Sequence, residues 1–134
     1  MNTELLKKAV ELAEKLGYVF VATADATGFP HVAAAAKLSF APDGKIAVSA
    51  WFCPSTMANI NENPRLSVVV WDSEKDKGYQ LIGESEKILD VAIMDGFSAA
   101  LEDRPPIPQI ESRLTVRVDK ILHFTHAPHS DSEM

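Results

Sequence analysis

The spacing of apolar residues changes once along the chain, from a helical period at the N-terminus to patterns typical of strands. Residues 3 to 16 place six apolar side chains on one stripe at helical spacing: Leu5, Leu6, Ala9, Leu12, Ala13 and Leu16. Asn2 or Thr3 can cap the start of this segment, and Gly17 supplies the left-handed residue that ends it. The pattern therefore predicts an amphipathic N-terminal helix.

Six later segments predict strands, because they are rich in β-branched and aromatic residues or continuously apolar, and turn residues separate them. They are Tyr18–Ala24, Pro30–Phe40, Lys45–Phe52, Arg65–Trp71, Gly78–Leu89 and Arg113–Phe124. Short turns at Asp25–Gly28 and Pro42–Gly44 join the first three as hairpins. The apolar run from Arg65 to Trp71 predicts a strand in the middle of a sheet, and Gly83 predicts a β-bulge.

Two further segments have the spacing of short helices. Ser55–Asn63 lies between two prolines, and Val91–Glu102 carries Val91, Met94, Phe97, Ser98 and Leu101 on one side. Six strands, hairpin turns and peripheral helices favour a small closed β-barrel over a sandwich. We expect one domain over residues 1–126, followed by a polar, disordered tail over residues 127–134.

Composition narrows the class of protein. The chain has 134 residues, too few for two cores, and its 46% hydrophobic content excludes wholesale disorder. Thirteen Lys and Arg against nineteen Asp and Glu give a net charge of −6, which argues against nucleic-acid binding, since that affinity comes from excess cations. Cys53 is the only cysteine, the apolar runs are too short to cross a bilayer, and the N-terminus does not resemble a signal peptide. We therefore expect a cytoplasmic protein that binds neither nucleic acid nor membrane.

The start of the second predicted helix is a candidate anion site. The chain enters this helix through Pro54, Ser55 and Thr56. Free backbone N–H groups at a helix start, together with the two hydroxyls, suit a phosphate, and Asn59 lies one turn further along. A plain Ser or Thr helix cap explains the same residues, so both interpretations stay open at this point.

Four consecutive alanines, Ala33–Ala36, lie in the second predicted strand and are followed by Lys37. Alanine favours helix, yet this run is bounded by turn residues on both sides. Small side chains in a strand allow a planar ring system, or else a tightly packed helix or subunit, to approach the backbone closely. Lys37 would place a cation at the end of this surface, although a solvated lysine at a sheet edge is the more ordinary explanation.

Three segments in order, Val19–Val32, Ser55–Trp71 and Gly78–Glu86, carry a resemblance to a known family. The second contains Asn-Pro-Arg before an apolar strand, and the third contains Ile-Gly-x-x-Glu. In this order and spacing the chain resembles the FMN-binding split barrels related to pyridoxamine 5′-phosphate oxidase. The resemblance extends from Tyr18 to Phe124.

The resemblance implies a mainly β fold, a six-stranded Greek-key split barrel, that binds FMN at the interface of a homodimer. It implies a flavin-dependent oxidoreductase or electron carrier, in which FMN carries the reaction and the protein orients it. The implied cofactor residues are those of the flavin-ring strand, then the strand end, then the phosphate site: Ala34, Ala35, Ala36, Lys37, Ser49, Ala50, Trp51, Ser55, Thr56 and Asn59. No catalytic residue stands out, and the redox partner is unknown.

The chain departs from the family in two places. Between Ile46 and Pro64 it has no basic residue, where many members carry one to neutralise the phosphate. Either Lys37, Arg65, Lys77 or the partner subunit would supply the charge, or the phosphate would rely on N–H groups and hydroxyls. It also shows no C-terminal segment of the kind with which the oxidase proper grips its substrate, so we do not expect pyridoxamine phosphate oxidase activity. The alternative is a split barrel that has lost the flavin and binds haem, another nucleotide or a protein partner.

His123, His126 and His129 are spaced three apart at the end of the last strand and in the tail. Some related barrels bind haem through C-terminal histidines. A strand exit and a tail do not hold three imidazoles at fixed geometry, however, so we predict no metal site. His31 is expected to flank its turn, and Cys53 to be a small buried residue.

Overall fold

The computed structural model of the chain describes residues 3–51, 53–94, 108–127 and 132–134. These ranges hold two helices and seven strands: α1 Thr3–Leu16, β1 Val19–Ala24, β2 Pro30–Ala35, β3 Lys37–Ala41, β4 Lys45–Trp51, α2 Pro54–Glu62, β5 Arg65–Asp72, β6 Lys77–Met94 and β7 Pro108–His123. All the strands form one antiparallel sheet in the order β2-β1-β5-β6-β7-β4-β3.

The sheet curls because its two edges are joined through one residue. β2 and β3 lie at opposite edges of the sheet, yet only Ala36 separates them in the chain. Since consecutive Cα atoms are about 3.8 Å apart, the edges must approach each other, as they do in a split barrel. The mainly β split barrel implied by the resemblance is therefore confirmed.

The described residues form seven strands rather than six, because the second predicted strand divides at Ala36. Pro30–Ala35 pairs with β1, whereas Lys37–Ala41 pairs with β4. One extended segment thus serves both edges of the curl. An alanine run carries no turn residue that marks such a change of partner, so the sequence pattern shows a single strand there.

The predicted helix over Val91–Glu102 is wrong at its start. β6 continues through Val91 to Met94 and pairs there with the beginning of β7, with Met94 opposite Pro108. The rest of that predicted helix falls in residues 95–102, outside the described residues. A short segment with helical spacing can still form a strand when a long neighbouring strand pairs with it.

The register between β6 and β7 shifts at Gly83, where a β-bulge was predicted, but the extra residue belongs to β7. Ile82 is opposite Lys120 and Gly83 is opposite Val118, so Asp119 has no partner in the ladder. A Cβ added there would overlap the carbonyl oxygen of Arg117 on β7. Glycine is therefore required by the close approach of the two backbones.

The core fills the inside of the curl, and α1 packs against it. The predicted helix is confirmed, and it buries Leu6, Ala9, Val10 and Ala13. α1 contacts β3, β5 and β6, and α2 contacts β1 and β2. β5 lies between β1 and β6 and buries Leu66, Val68 and Val70, as its apolar run predicted. Each such fully buried side chain contributes roughly 1.5–3 kcal/mol.

Residues 132–134 pair with the end of β7. The backbone N–H of His123 donates to the carbonyl oxygen of Ser132 at 2.9 Å, and that of Met134 donates to Ile121 at 2.9 Å. The domain limit at residue 126 stays a prediction. In the part of the chain described, neither helix has the length and apolar character that crossing a membrane requires.

Candidate cofactor site

The first turn of α2 carries backbone donors that the described residues do not satisfy. Cys53 occupies the N-cap position and makes no side-chain cap hydrogen bond, and Pro54 begins the helix. Because proline has no N–H, the donors at this end belong to Ser55 and Thr56, and neither N–H has an acceptor within the described residues. The side chain of Ser55 is exposed. The helix-cap interpretation is therefore not what the structure shows, and this end of α2 can accept an anion.

Thr56 itself faces the protein interior. It is 0% exposed, and its Oγ1 lies 3.4 Å from Nδ1 of His31, which is half-buried on β2. Only its backbone N–H remains for an outside ligand. Sequence reasoning placed His31 beside a turn and missed this contact, because the two residues are 25 positions apart and no local pattern connects them.

Asn59 ties α2 to β1. Its Nδ2 donates to Oγ1 of Thr23 at 3.1 Å, and Thr23 is buried. A buried hydroxyl without a partner is costly, so this bond stabilises the position of the helix. One hydrogen of the Asn59 amide is thus engaged inside the protein, and the second hydrogen and the carbonyl oxygen remain for other partners.

The alanine run presents alternate residues outward. Ala34 and Ala36 are exposed, whereas Ala35 is buried in the core. A planar group lying against this surface would therefore meet Ala34, Ala36 and the backbone, and not the methyl group of Ala35. The period of two along a strand could have separated these positions in the sequence.

The ladder between β3 and β4 brings a cation next to a hydroxyl. Lys37 and Ser49 are directly opposite each other, with Lys37 exposed and Ser49 half-buried. Residues in such positions have Cβ atoms about 4.5–5.5 Å apart. Beyond Ser49 the register of β4 against β7 shifts before Trp51, which faces Ser112. Irregularities of this kind are frequent near functional sites because they re-aim the strand.

Contacts join the elements that carry the predicted site residues, because β2 contacts β4 and α2 contacts β2. The contact between α2 and β2 is shown at Thr56 and His31, and Lys37 lies opposite Ser49. Ala50 and Trp51 follow Ser49 on β4. Of the other proposed cations, Arg65 is exposed where β5 begins after α2, and Lys77 lines a separate cavity beside α1.

The C-terminal histidines form no metal cluster within the described residues, where no three His, Cys, Asp or Glu side chains come together; His129 lies outside them. His126 instead contacts Asp76. The backbone N–H of His126 donates to Oδ1 of Asp76 at 2.9 Å, and the indole N–H of Trp71 donates to the same oxygen at 3.0 Å. Burial raises the pKa of Asp76, but these two hydrogen bonds and the His126 imidazole outweigh it, so the pKa lies below its usual value.

Comparison with known proteins supports the same fold. A family model described as pyridoxamine 5′-phosphate oxidase matches residues 5–122. HupZ from Group A Streptococcus has a TM-score of 0.62 at 20% identity, over 94% of this chain and 97% of that one. No curated protein sequence matches the chain.

Two further solved structures are FMN-binding proteins. One from Syntrophomonas wolfei subsp. wolfei has a TM-score of 0.60 at 20% identity, over 89% of this chain and 85% of that one. A pyridoxamine 5′-phosphate oxidase-related, FMN-binding protein from Nostoc punctiforme has a TM-score of 0.62 at 12% identity, covering 89% and 81%. At these identities the likeness shows the fold alone.

Proposed function

The chain belongs to the pyridoxamine 5′-phosphate oxidase family, and from that premise we propose that it is an FMN-binding flavoprotein acting as an oxidoreductase or electron carrier. The observation that carries the proposal is the open first turn of α2, where the N–H groups of Ser55 and Thr56 have no acceptor within the described residues. A phosphate there would satisfy both donors, and the positive end of the helix dipole favours it.

The remaining residues fit the rest of the cofactor. Ala34 and Ala36 present only methyl groups to a planar ring, and Ser49 offers a hydroxyl to the ribityl chain or the ring edge. When bound, FMN supplies the hydride or electron transfer. Lys37 brings a positive charge to this surface, and a positive charge favours the more negative, reduced state of a neighbouring redox group.

In this proposal a second copy of the chain covers the outer face of β1 and β2. Phe20 is 37% exposed and Val32 is 62% exposed, and Tyr18 is exposed beside them. Phe20 is directly opposite Ala34 in the ladder, so the exposed apolar face is continuous with the proposed flavin surface. A homodimer would bury both and would give a small barrel the second wall that a cofactor of this size needs.

The test of the phosphate position is Ser55→Glu, compared with Asn61→Glu on the same helix. Both residues are exposed, so both variants should fold, and both add one negative charge. We expect Ser55→Glu to lose FMN binding through charge repulsion and Asn61→Glu to retain it, as measured by quenching of FMN fluorescence. Equal affinity of the two variants would place the phosphate elsewhere.

A second candidate is favoured by one feature, the absence of Lys and Arg between Ile46 and Pro64. A barrel without a cation in this segment could have exchanged the flavin for another ligand, such as haem. Protein that ignores FMN and develops a Soret band on addition of haem would support this candidate. Protein that binds FMN and shows no Soret band would exclude it.

A further inference from the structure

A cavity of about 310 Å³ lies between α1 and the turn that joins β5 to β6. None of the residues that line it belongs to the candidate cofactor site. We propose that this cavity binds a small phosphate monoester with a flat organic part, of the nucleoside monophosphate class. The proposal goes beyond the flavin function and does not rest on it.

Four lysines give the cavity its charge. Lys8 and Lys15 lie two turns apart on α1, and Lys75 and Lys77 come from the turn and the start of β6. Within the described residues, none of the four ammonium groups is within 4.0 Å of a carboxylate. Glu11 and Asp72 also line the cavity, so an excess of two positive charges remains. A bound dianion would remove the mutual repulsion of these lysines.

Tyr79 supplies a polar group that the described residues leave without a partner. The residue lines the cavity and is 4% exposed, and its hydroxyl has no hydrogen-bond partner within the part of the chain described. A buried hydroxyl without a partner is costly, and a ligand oxygen in the cavity would supply the missing acceptor.

Asp72 fixes the turn and contributes a second buried polar group. It is 8% exposed, and its Oδ1 accepts the backbone N–H groups of Glu74 at 3.0 Å and Lys75 at 3.3 Å. These bonds hold the turn that carries Lys75 against the cavity. The other carboxylate oxygen has no hydrogen-bond partner in the described residues, so it can accept an N–H or hydroxyl group of a ligand.

The size and lining of the cavity select the ligand class. A volume of about 310 Å³ lies at the small end of the range for small-molecule sites and is larger than a free phosphate ion requires. Leu12 and the ring of Tyr79 provide apolar surface for a flat organic group. The lysines suit the phosphate, and Asp72 suits a donor on the organic part, which together describe a phosphate monoester with amino or hydroxyl groups.

Calorimetric titration with AMP tests the proposal, with adenosine and inorganic phosphate as partial ligands. We expect saturable binding of AMP and binding at least about 10-fold weaker for either part alone, because each lacks half of the contacts. The double variant Lys8→Gln/Lys75→Gln should weaken AMP binding by about 10-fold or more, because it removes two charge-assisted contacts.

The matched control is Lys7→Gln/Lys120→Gln, which removes two exposed lysines that do not line the cavity. It should bind AMP as the wild type does, and so should Ser55→Glu. The proposal is overturned if AMP does not bind saturably, or if Lys8→Gln/Lys75→Gln binds it with wild-type affinity. Loss of AMP binding in Ser55→Glu would also overturn it, since AMP would then occupy the cofactor site.

Discussion

Gly83→Ala adds one methyl group at the point where β6 runs closest to β7. The new Cβ would overlap the carbonyl oxygen of Arg117 and lie 2.8 Å from its carbonyl carbon and 3.0 Å from Cα of Val118. These are backbone atoms of a strand paired on both sides, so no side-chain rotation relieves the overlap. Overpacking of this kind costs typically about 1–3 kcal/mol, and the rigid neighbours favour the upper end.

The assay is thermal unfolding followed by circular dichroism, with Gly44→Ala as the control. Gly44 has a φ of 73° and no heavy atom within 4 Å of an added Cβ, so alanine there costs only the left-handed backbone strain of roughly 1 kcal/mol. A loss of about 3 kcal/mol in a chain of this length lowers Tm by about 10 °C. We therefore expect Gly83→Ala to lose about three times as much stability as Gly44→Ala. If Gly83→Ala unfolds within a degree or two of the wild type, the close approach of β6 and β7 is wrong.

Three further predictions concern side chains. Asn59→Ala should lower the free energy of unfolding by about 1–2 kcal/mol in urea, because the buried Thr23 hydroxyl loses its donor; an unchanged midpoint would contradict the contact. The pKa of Asp25 lies below its ordinary value of 3.8 because it accepts the Thr27 hydroxyl and then the backbone N–H of Phe29. A lowered pKa in the folded state stabilises the protein at pH values above the unfolded-state pKa. This stabilisation is lost as the pH falls through the folded-state pKa. Asp25→Ala should therefore lower Tm at pH 7 and converge with the wild type in acid, whereas a gap independent of pH would refute this origin. Tyr79→Phe removes a buried hydroxyl without a partner in the described residues, so Tm should be unchanged or higher; a clear decrease would reveal a partner.

The spacing of apolar residues predicted most of the helices and strands, because the buried side chains of each element recur at regular intervals along its own sequence. The stripe of α1 and the apolar run of β5 each depend on residues close in sequence, and each is confirmed. The division at Ala36 and the strand at Val91–Met94 depend on pairing partners far away in the chain. Spacing alone therefore predicted one undivided strand at the first position and a helix at the second.

The candidate site likewise depends on contacts between residues that are far apart in the chain. The prolines, the two hydroxyl residues and later the family resemblance all led to the first turn of α2. The N–H groups there have no acceptor among the described residues, which agrees with an anion site. The sequence did not predict which way the side chains of Thr56 and Asn59 point. Thr56 faces inward toward His31, which lies 25 positions away, and Asn59 gives one amide hydrogen to Thr23. Contacts between elements decide these orientations, and a single sequence carries no record of them.

Equilibrium titration of FMN with the purified wild-type chain tests the central claim most directly. We predict saturable quenching of FMN fluorescence at low micromolar protein concentration, with equimolar FMN and chain at saturation. FMN fluorescence that stays unchanged through the titration would contradict the assignment of this barrel as a flavoprotein.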